Sequence, residues 1–182
     1  SPDEEIIIEI YNKKIIKLKL KERHIKSFRR KDITIVEIKK EDEIYNEIKF
    51  LHYDLDYIKG YEIYKNGHVF TIEYTHNESA SCASGQIIDI YNFDFSHTIP
   101  TNMGATGSPI ILLNNNINVM RVIGIHTHKN FRKKLNYGTF IGEIFNEDLN
   151  EDLNIIEEQK KEQTDSLYFV EFTNSQFVFF LG

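Results

Sequence analysis

The sequence predicts an all-β protein, an antiparallel barrel or sandwich with one late helix. Three observations lead there. The apolar residues are chiefly Ile, Phe, Tyr and Leu, with no Trp and two Met among 182 residues, and β-branched and aromatic side chains suit a pleated, half-buried surface. About nine short apolar runs alternate with turn signals at roughly 8- to 14-residue intervals, as in an all-β architecture. A single stretch, residues 146–163, carries a helical pattern, and no internal repeat is present.

The elements follow in order. EEIIIEIYNKKIIKLKL (4–20) holds two strand-like runs around Tyr-Asn-Lys and predicts a hairpin whose K-L-K-L arm has one solvated face. DITIVEI (32–38) is a short β-branched strand entered through Asp32. Residues 39–60 form a long charged connection with a short strand at IKFL, residues 48–51. GYEIYKNGHVFTIEY (60–74) predicts a hairpin turning at Lys-Asn-Gly.

CASGQIIDIYNFDFSHT (82–98) supplies another strand after Gly85. IILL (110–113) and VMRVIGIHTH (119–128) form a hairpin across LNNNIN, and NYGTFIGEIF (136–145) adds one more strand. NEDLNEDLNIIEEQKKEQ (146–163) is acidic at its start and basic at its end, which the helix dipole favours. SLYFVEFTNSQFVFFLG (166–182) is a strand pair turning at Thr-Asn-Ser.

Bulk properties exclude several function classes. Net charge is −6, and the one basic concentration, residues 17–31, alternates as a strand does, so no nucleic-acid partner is expected. The single cysteine, Cys82, leaves no internal disulfide and no cysteine cluster for a metal, which suggests a reducing, cytoplasmic setting. No 18-residue apolar run exists, so no membrane span is expected, and SPDEE is no signal peptide. No metal or organic cofactor is implied.

The stretch MGATGSPIILL (103–113) carries the candidate chemistry. Two glycines flank a small hydroxyl residue, Thr106, and a Ser-Pro leads into an apolar run. Glycines permit the tight turn that a projecting nucleophile requires. A glycine-rich β-turn without chemistry is the competing reading.

Gly104-Ala105-Thr106-Gly107-Ser108-Pro109 resembles the Gly-x-Ser-Gly-Ser-Pro nucleophile motif of trypsin-like, chymotrypsin-fold serine proteases. VIGIHTH (122–128) is similar to the family's substrate-lining strand, and DITIVEI to the strand that delivers the triad aspartate. The three stand in the family's order, and the likeness spans residues 10–150. It implies that Asp32 orients a base histidine, that Thr106 holds the nucleophile position, and that the amides of Gly104 and Thr106 form an oxyanion hole.

Gly124-Ile125-His126 is similar to the Gly-x-His of bacterial glutamyl endopeptidases and picornavirus-like main proteases, which also carry a threonine where Thr101 stands. The resemblance therefore implies a pocket of Thr101, Gly124 and His126 that prefers Glu or Gln before the scissile bond. Asp32 as a local strand cap, and His126 and His128 as plain strand residues, are the competing readings.

Two departures fall in the triad. Thr106 replaces serine, and its extra methyl restricts rotation and crowds the attack path. Only His24 precedes Asp32, eight residues away, too close to arrive on a separate strand. The chain is read as starting inside the first barrel, with the base histidine on an upstream fragment or lost. The C-terminal hairpin is a candidate to replace the missing first strands.

The expected protein is thus a chymotrypsin-like antiparallel double β-barrel, first barrel incomplete, with a C-terminal helix. Residues 1–50 form the remainder of the first barrel, 60–145 the second, 146–163 the helix and 164–182 a hairpin. Its expected function is that of a trypsin-like endopeptidase domain, incomplete or inactivated. The alternative is a pseudoprotease that binds peptide along the strand at 122–126. Expected partners are a protein or peptide substrate and the chain's own cleaved N-terminal fragment. A third reading is a β-rich docking domain that binds through Lys17, Lys19 and Lys21.

Overall fold

The computed structural model describes residues 5–10, 14–21, 23, 25–28, 33–48, 51–74, 80–113, 120–130, 132–142, 169–170, 172–173 and 176–177. The expected helix at 146–163 and the residues Asp32 and His24 lie outside these. Among the described residues no helix is long and apolar enough to cross a membrane.

Alternation shapes the first hairpin. β1 (Glu5–Glu9) and β2 (Ile15–Lys19) pair antiparallel, Ile6 opposite Leu18 and Ile8 opposite Ile16. These four side chains are buried, and the lysines between them face solvent. β3 (Ile25–Phe28) and β4 (Ile33–Val36) form a second antiparallel pair.

β4 is apolar on both faces because it is covered on both. Ile33 and Ile35 join Phe28 against Ile111, Val122, Ile125 and Ile141. Val36 joins Ile6, Ile8, Ile16, Leu18, Ile38 and Ile44. Each such side chain withdrawn from water contributes roughly 1.5–3 kcal/mol before chain entropy is counted. An ion pair closes the connection that follows. The Arg23 guanidinium donates to both Asp42 oxygens at 2.8 Å, and the two side chains are 5% and 11% exposed.

Residues 39–67 differ from the expected layout. The short strand is β5 (His52–Tyr53), just past IKFL, and 3-10 turns occupy Glu43–Asn46, Leu55–Lys59 and Tyr61–Tyr64. The expected hairpin at 60–74 is therefore one turn and one strand, β6 (His68–Tyr74). The backbone at Asn66 is left-handed, and the Gly67 amide donates back to Tyr64 O. Tyr64 is thereby turned into the core, 2% exposed, instead of lying in a sheet.

The second half closes on itself. β7 (Ala80–Tyr91) and β8 (Asp94–His97) come from the single stretch expected to give one strand, and left-handed Asn92 makes the turn between them. β9 (Pro109–Leu112), β10 (Arg121–Asn130) and β11 (Leu135–Phe140) follow. The hydrogen-bonded order is β6-β7-β8-β11-β10-β9, and β9 returns to β6, giving an antiparallel barrel of six strands. β5 adds a short parallel edge on β10.

Val69, Ile87, Phe95, Ile99, Ile110, Ile123 and Phe140 fill the barrel, together with Tyr57 and Tyr64. Phe95 is the central ring, its centroid 4.5 Å from that of Phe140. It fits only because Gly124 and Gly138 leave it room: a Cβ at either would come within 2.7 Å of it.

The described C-terminal segments return to the N-terminal layer. β12 (Phe169–Val170) pairs antiparallel with β4, Phe169 opposite Ile35. β13 (Phe172–Thr173) and β14 (Gln176–Phe177) pair with each other.

Candidate functional site

The loop from Thr101 to Ser108 is two consecutive turns. Ala105 N donates to Asn102 O and Ser108 N to Ala105 O, at 3.3 and 3.0 Å. The third residue of each turn is a glycine with positive φ, 92° at Gly104 and 86° at Gly107. A type II turn requires that conformation there, which explains glycines three residues apart. Thr106 precedes the second glycine and is half-buried.

The loop is stitched to β10. Gly107 N donates to His126 O at 2.7 Å, and His126 N donates to Ser108 O at 2.9 Å. The Thr106 hydroxyl donates to Thr127 O at 3.3 Å. Among the described residues, the amides of Gly104 and Thr106 donate to no backbone carbonyl, and no histidine hydrogen-bonds Thr106.

Two further anchors come from β6. Thr71 Oγ1 donates to Pro109 O at 2.7 Å inside the barrel. The Glu73 carboxyl, 1% exposed, accepts from Asn102 Nδ2, from Asn102 N and from Ser81 Oγ. The loop is thereby held at its entrance and its exit.

Thr101 and His126 are both buried, 8% and 3% exposed, but share no hydrogen bond among the described residues. His126 Nδ1 instead faces Nε2 of His97 at 3.3 Å. His97 lies fully buried on β8. Burial pushes the His97 ring down to about 3, helped by the neighbouring His126. Burial likewise lowers His126 to about 4, with His128 and Lys129 adding and the Tyr137 carbonyl opposing. Both rings are neutral at physiological pH. Gly124, expected to line the pocket, sits against Phe95 and the Thr139 carbonyl.

One expectation is overturned. A peptide cannot pair along 122–126, because β10 already pairs there with β9 from Arg121 to Ile125 and with β11 from Gly124 onward. From Thr127 the strand has left β9, and among the described strands it pairs with β11 alone.

His97, Glu73 and Asn102 escaped the sequence reading. Only the alternation of Phe95 and His97 in FDFSHT marked His97 as inward-facing. Among the described residues, no group of three His, Cys, Asp or Glu is placed to hold a metal ion.

A closed six-stranded antiparallel barrel stands beside a smaller N-terminal β-layer, so the described part of the chain is almost entirely β. No protein-family model matches the sequence, and no curated protein is similar to it. Solved structures similar to it include catalytically active tobacco etch virus protease complexed with product, at a TM-score of 0.48 and 15% identity over 78% of this chain and 58% of that one. Catalytically inactive tobacco etch virus protease complexed with substrate gives 0.47 and 16% over 78% and 62%. Tobacco vein mottling virus protease gives 0.40 and 15% over 71% and 60%. The chain thus spans less than two thirds of each of these proteins.

Proposed function

We propose that this chain is a peptide-recognition domain on a protease-like scaffold, its cleft receiving the side chain of Glu or Gln, with little hydrolytic chemistry of its own. The observation that carries it is the loop joined to β10: the Thr106 hydroxyl donates to Thr127 O, next to His126 on the same strand. A nucleophile needs its proton taken by a base; this hydroxyl instead hydrogen-bonds a backbone carbonyl, which is no base.

An extended peptide would add alongside β10 at Thr127 and His128, where β9 has ended, and use main-chain hydrogen bonds. Its Glu or Gln side chain would meet Thr101 and His126, and the amides of Gly104 and Thr106 would receive the following carbonyl.

Fluorescence anisotropy with extended peptides carrying Gln, Glu or Ala at the selected position tests the reading. Binding of the Gln and Glu peptides, weakened roughly tenfold by His126→Ala, is the expected result. Equal affinity for all three peptides, or none, overturns it. Cleavage by the Thr106→Ser variant would favour an endopeptidase instead.

A further inference from the structure

β7 changes neighbours halfway along. From Ala80 to Gln86 it pairs with β6, and from Ile87 to Tyr91 with β8. The last contact on the β8 side is at Gln86: Thr98 N donates to Gln86 O, and Gln86 N to Thr98 Oγ1, both at 3.0 Å. The chain then turns inward through buried Ile99, and Pro100 has no N–H to continue the ladder. Among the described strands, none pairs with Ala80–Gly85 along that side.

The alternation of an antiparallel ladder identifies the groups left over. Ile87 N donates to Gly67 O, and Ile87 O accepts from Asn66 N, so Ile87 faces β6. Gly85, Ala83 and Ser81 face the same way, and Ser84, Cys82 and Ala80 therefore aim N–H and C=O outward. The side chains of Ala80, Cys82 and Ser84 are exposed as well.

Open edges are ordinarily guarded by lysine, proline or a bulge. β2 follows that rule with exposed Lys17 and Lys19. Ala80–Gln86 reads ASCASGQ, with no charge, no proline and no register shift against β6.

We propose that this edge joins a second copy of the chain, two β7 strands pairing antiparallel across a two-fold axis at Cys82. The outward set dictates the register. With Cys82 opposite its own copy, Ala80 lies opposite Ser84 and Ser84 opposite Ala80, and each pair exchanges two main-chain hydrogen bonds. Every outward group of the open stretch is then used. An axis at Ala83 would call instead on Gln86, whose main-chain groups Thr98 already holds.

A second copy fits better than an unrelated strand because the edge complements itself. Identical uncharged strands meet with no like charges opposed, and a two-fold joint uses one patch on both partners. The joint adjoins the glycine loop, since Ser81 Oγ donates to the same Glu73 carboxyl that anchors Asn102. It is independent of what that loop binds.

Sedimentation velocity of the full chain under reducing conditions is the first test. One edge of small side chains buries little area, so dimers are expected at roughly 0.1–1 mM. A wild type that stays monomeric throughout that range overturns the proposal. Cys82→Asp and Cys82→Lys each set like charges opposite one another and should weaken association roughly tenfold. An equimolar mixture of the two should recover it, because the charges then oppose favourably. Association like that of the wild type in either variant alone, or no recovery in the mixture, sinks the idea.

Should both variants fail to fold, the wild type decides by itself. Amide exchange at Cys82 and Ser84 should slow as concentration rises. Diamide should also link two chains through Cys82, since residues so paired stand about 5.5 Å apart at Cα, within the range of a disulfide. A dimer whose Cys82 and Ser84 amides exchange as fast as the monomer's is joined through another surface, and the proposal falls.

Discussion

Asn102 Nδ2 lies 2.5 Å from Oε1 of Glu73, a carboxyl group sealed inside the end of the barrel. The bond joins the first strand of the barrel to the entrance of the glycine loop. With Asn102 N and Ser81 Oγ also donating to Glu73, one side chain fixes where the two turns begin.

Glu73→Ala leaves three donors facing a hole. Asn102 is exposed and Ser81 half-buried, so their donors can turn to water, and chemical denaturation should show a loss of about 1–2 kcal/mol from the lost hydrogen bonds. Glu73→Gln preserves shape and one acceptor and should lose about half as much. Equal stability of all three proteins would mean that the loop does not depend on this anchor.

Gly138→Ala places a Cβ 2.5 Å from the Phe95 ring and 2.8 Å from Ile125 O. Overpacking of this kind costs about 1–3 kcal/mol. The melting temperature should fall, and the double variant Gly138→Ala with Phe95→Leu should recover part of the loss by vacating the ring's space.

Acid should unfold the protein in two stages. The folded rings of His97 and His126 resist protons down to about 3 and about 4, whereas the unfolded chain takes them up as pH falls through 6.5. The unfolded state then binds more protons, and stability drops by about 2 kcal/mol per ring between pH 7 and pH 5. Asp42 adds a later loss. Its bond to Arg23 holds the carboxyl below the usual range, so its contribution persists above the ordinary value near 4 and fades below it. Denaturation curves of His126→Phe, flatter between pH 7 and 5 than wild type, would verify the first stage.

Arg23→Lys tests the N-terminal lock. Arginine meets Asp42 with two parallel bonds and donates as well to the carbonyls of Lys19 and Glu37. Lysine keeps the charge but cannot span these acceptors. A loss of about 1.5–3 kcal/mol is expected, with the barrel's near-ultraviolet dichroism unchanged before the transition.

The strand runs were legible because each has a uniform environment. Ile16 and Leu18 alternate with lysines, and the pattern alone shows which face is buried. β6 was harder. Phe70 and Ile72 look like its inward set, yet Val69, Thr71 and Glu73 are the fully buried ones. The reason is that this end of the barrel is polar inside, with acceptors and donors spoken for by Pro109 and Asn102, while Phe70 packs outward under the N-terminal layer.

The glycine loop was legible as a turn because positive φ restricts the residue type. Its attachments were not, since Glu73 and Asn102 lie 29 positions apart in the chain. The His97–His126 pairing likewise depends on two strands brought together by β11. Hairpin length misled at 60–74, where nothing local distinguishes a strand from a 3-10 turn that buries Tyr64.

The seam between β12 and β4 sets an order of events. β4 is synthesised before the described barrel strands, whereas Phe169 and Val170, which pair along one of its edges, follow all of them. Pairs so distant in sequence form slowly, because a long loop must close before any contact rewards it. Until then that edge of Ile33–Val36 presents open backbone hydrogen-bonding groups, a template for any passing strand. The newborn protein therefore has a sticky interval bounded by translation time, and conditions that slow the ribosome past residue 142 should raise its aggregation without altering the finished molecule.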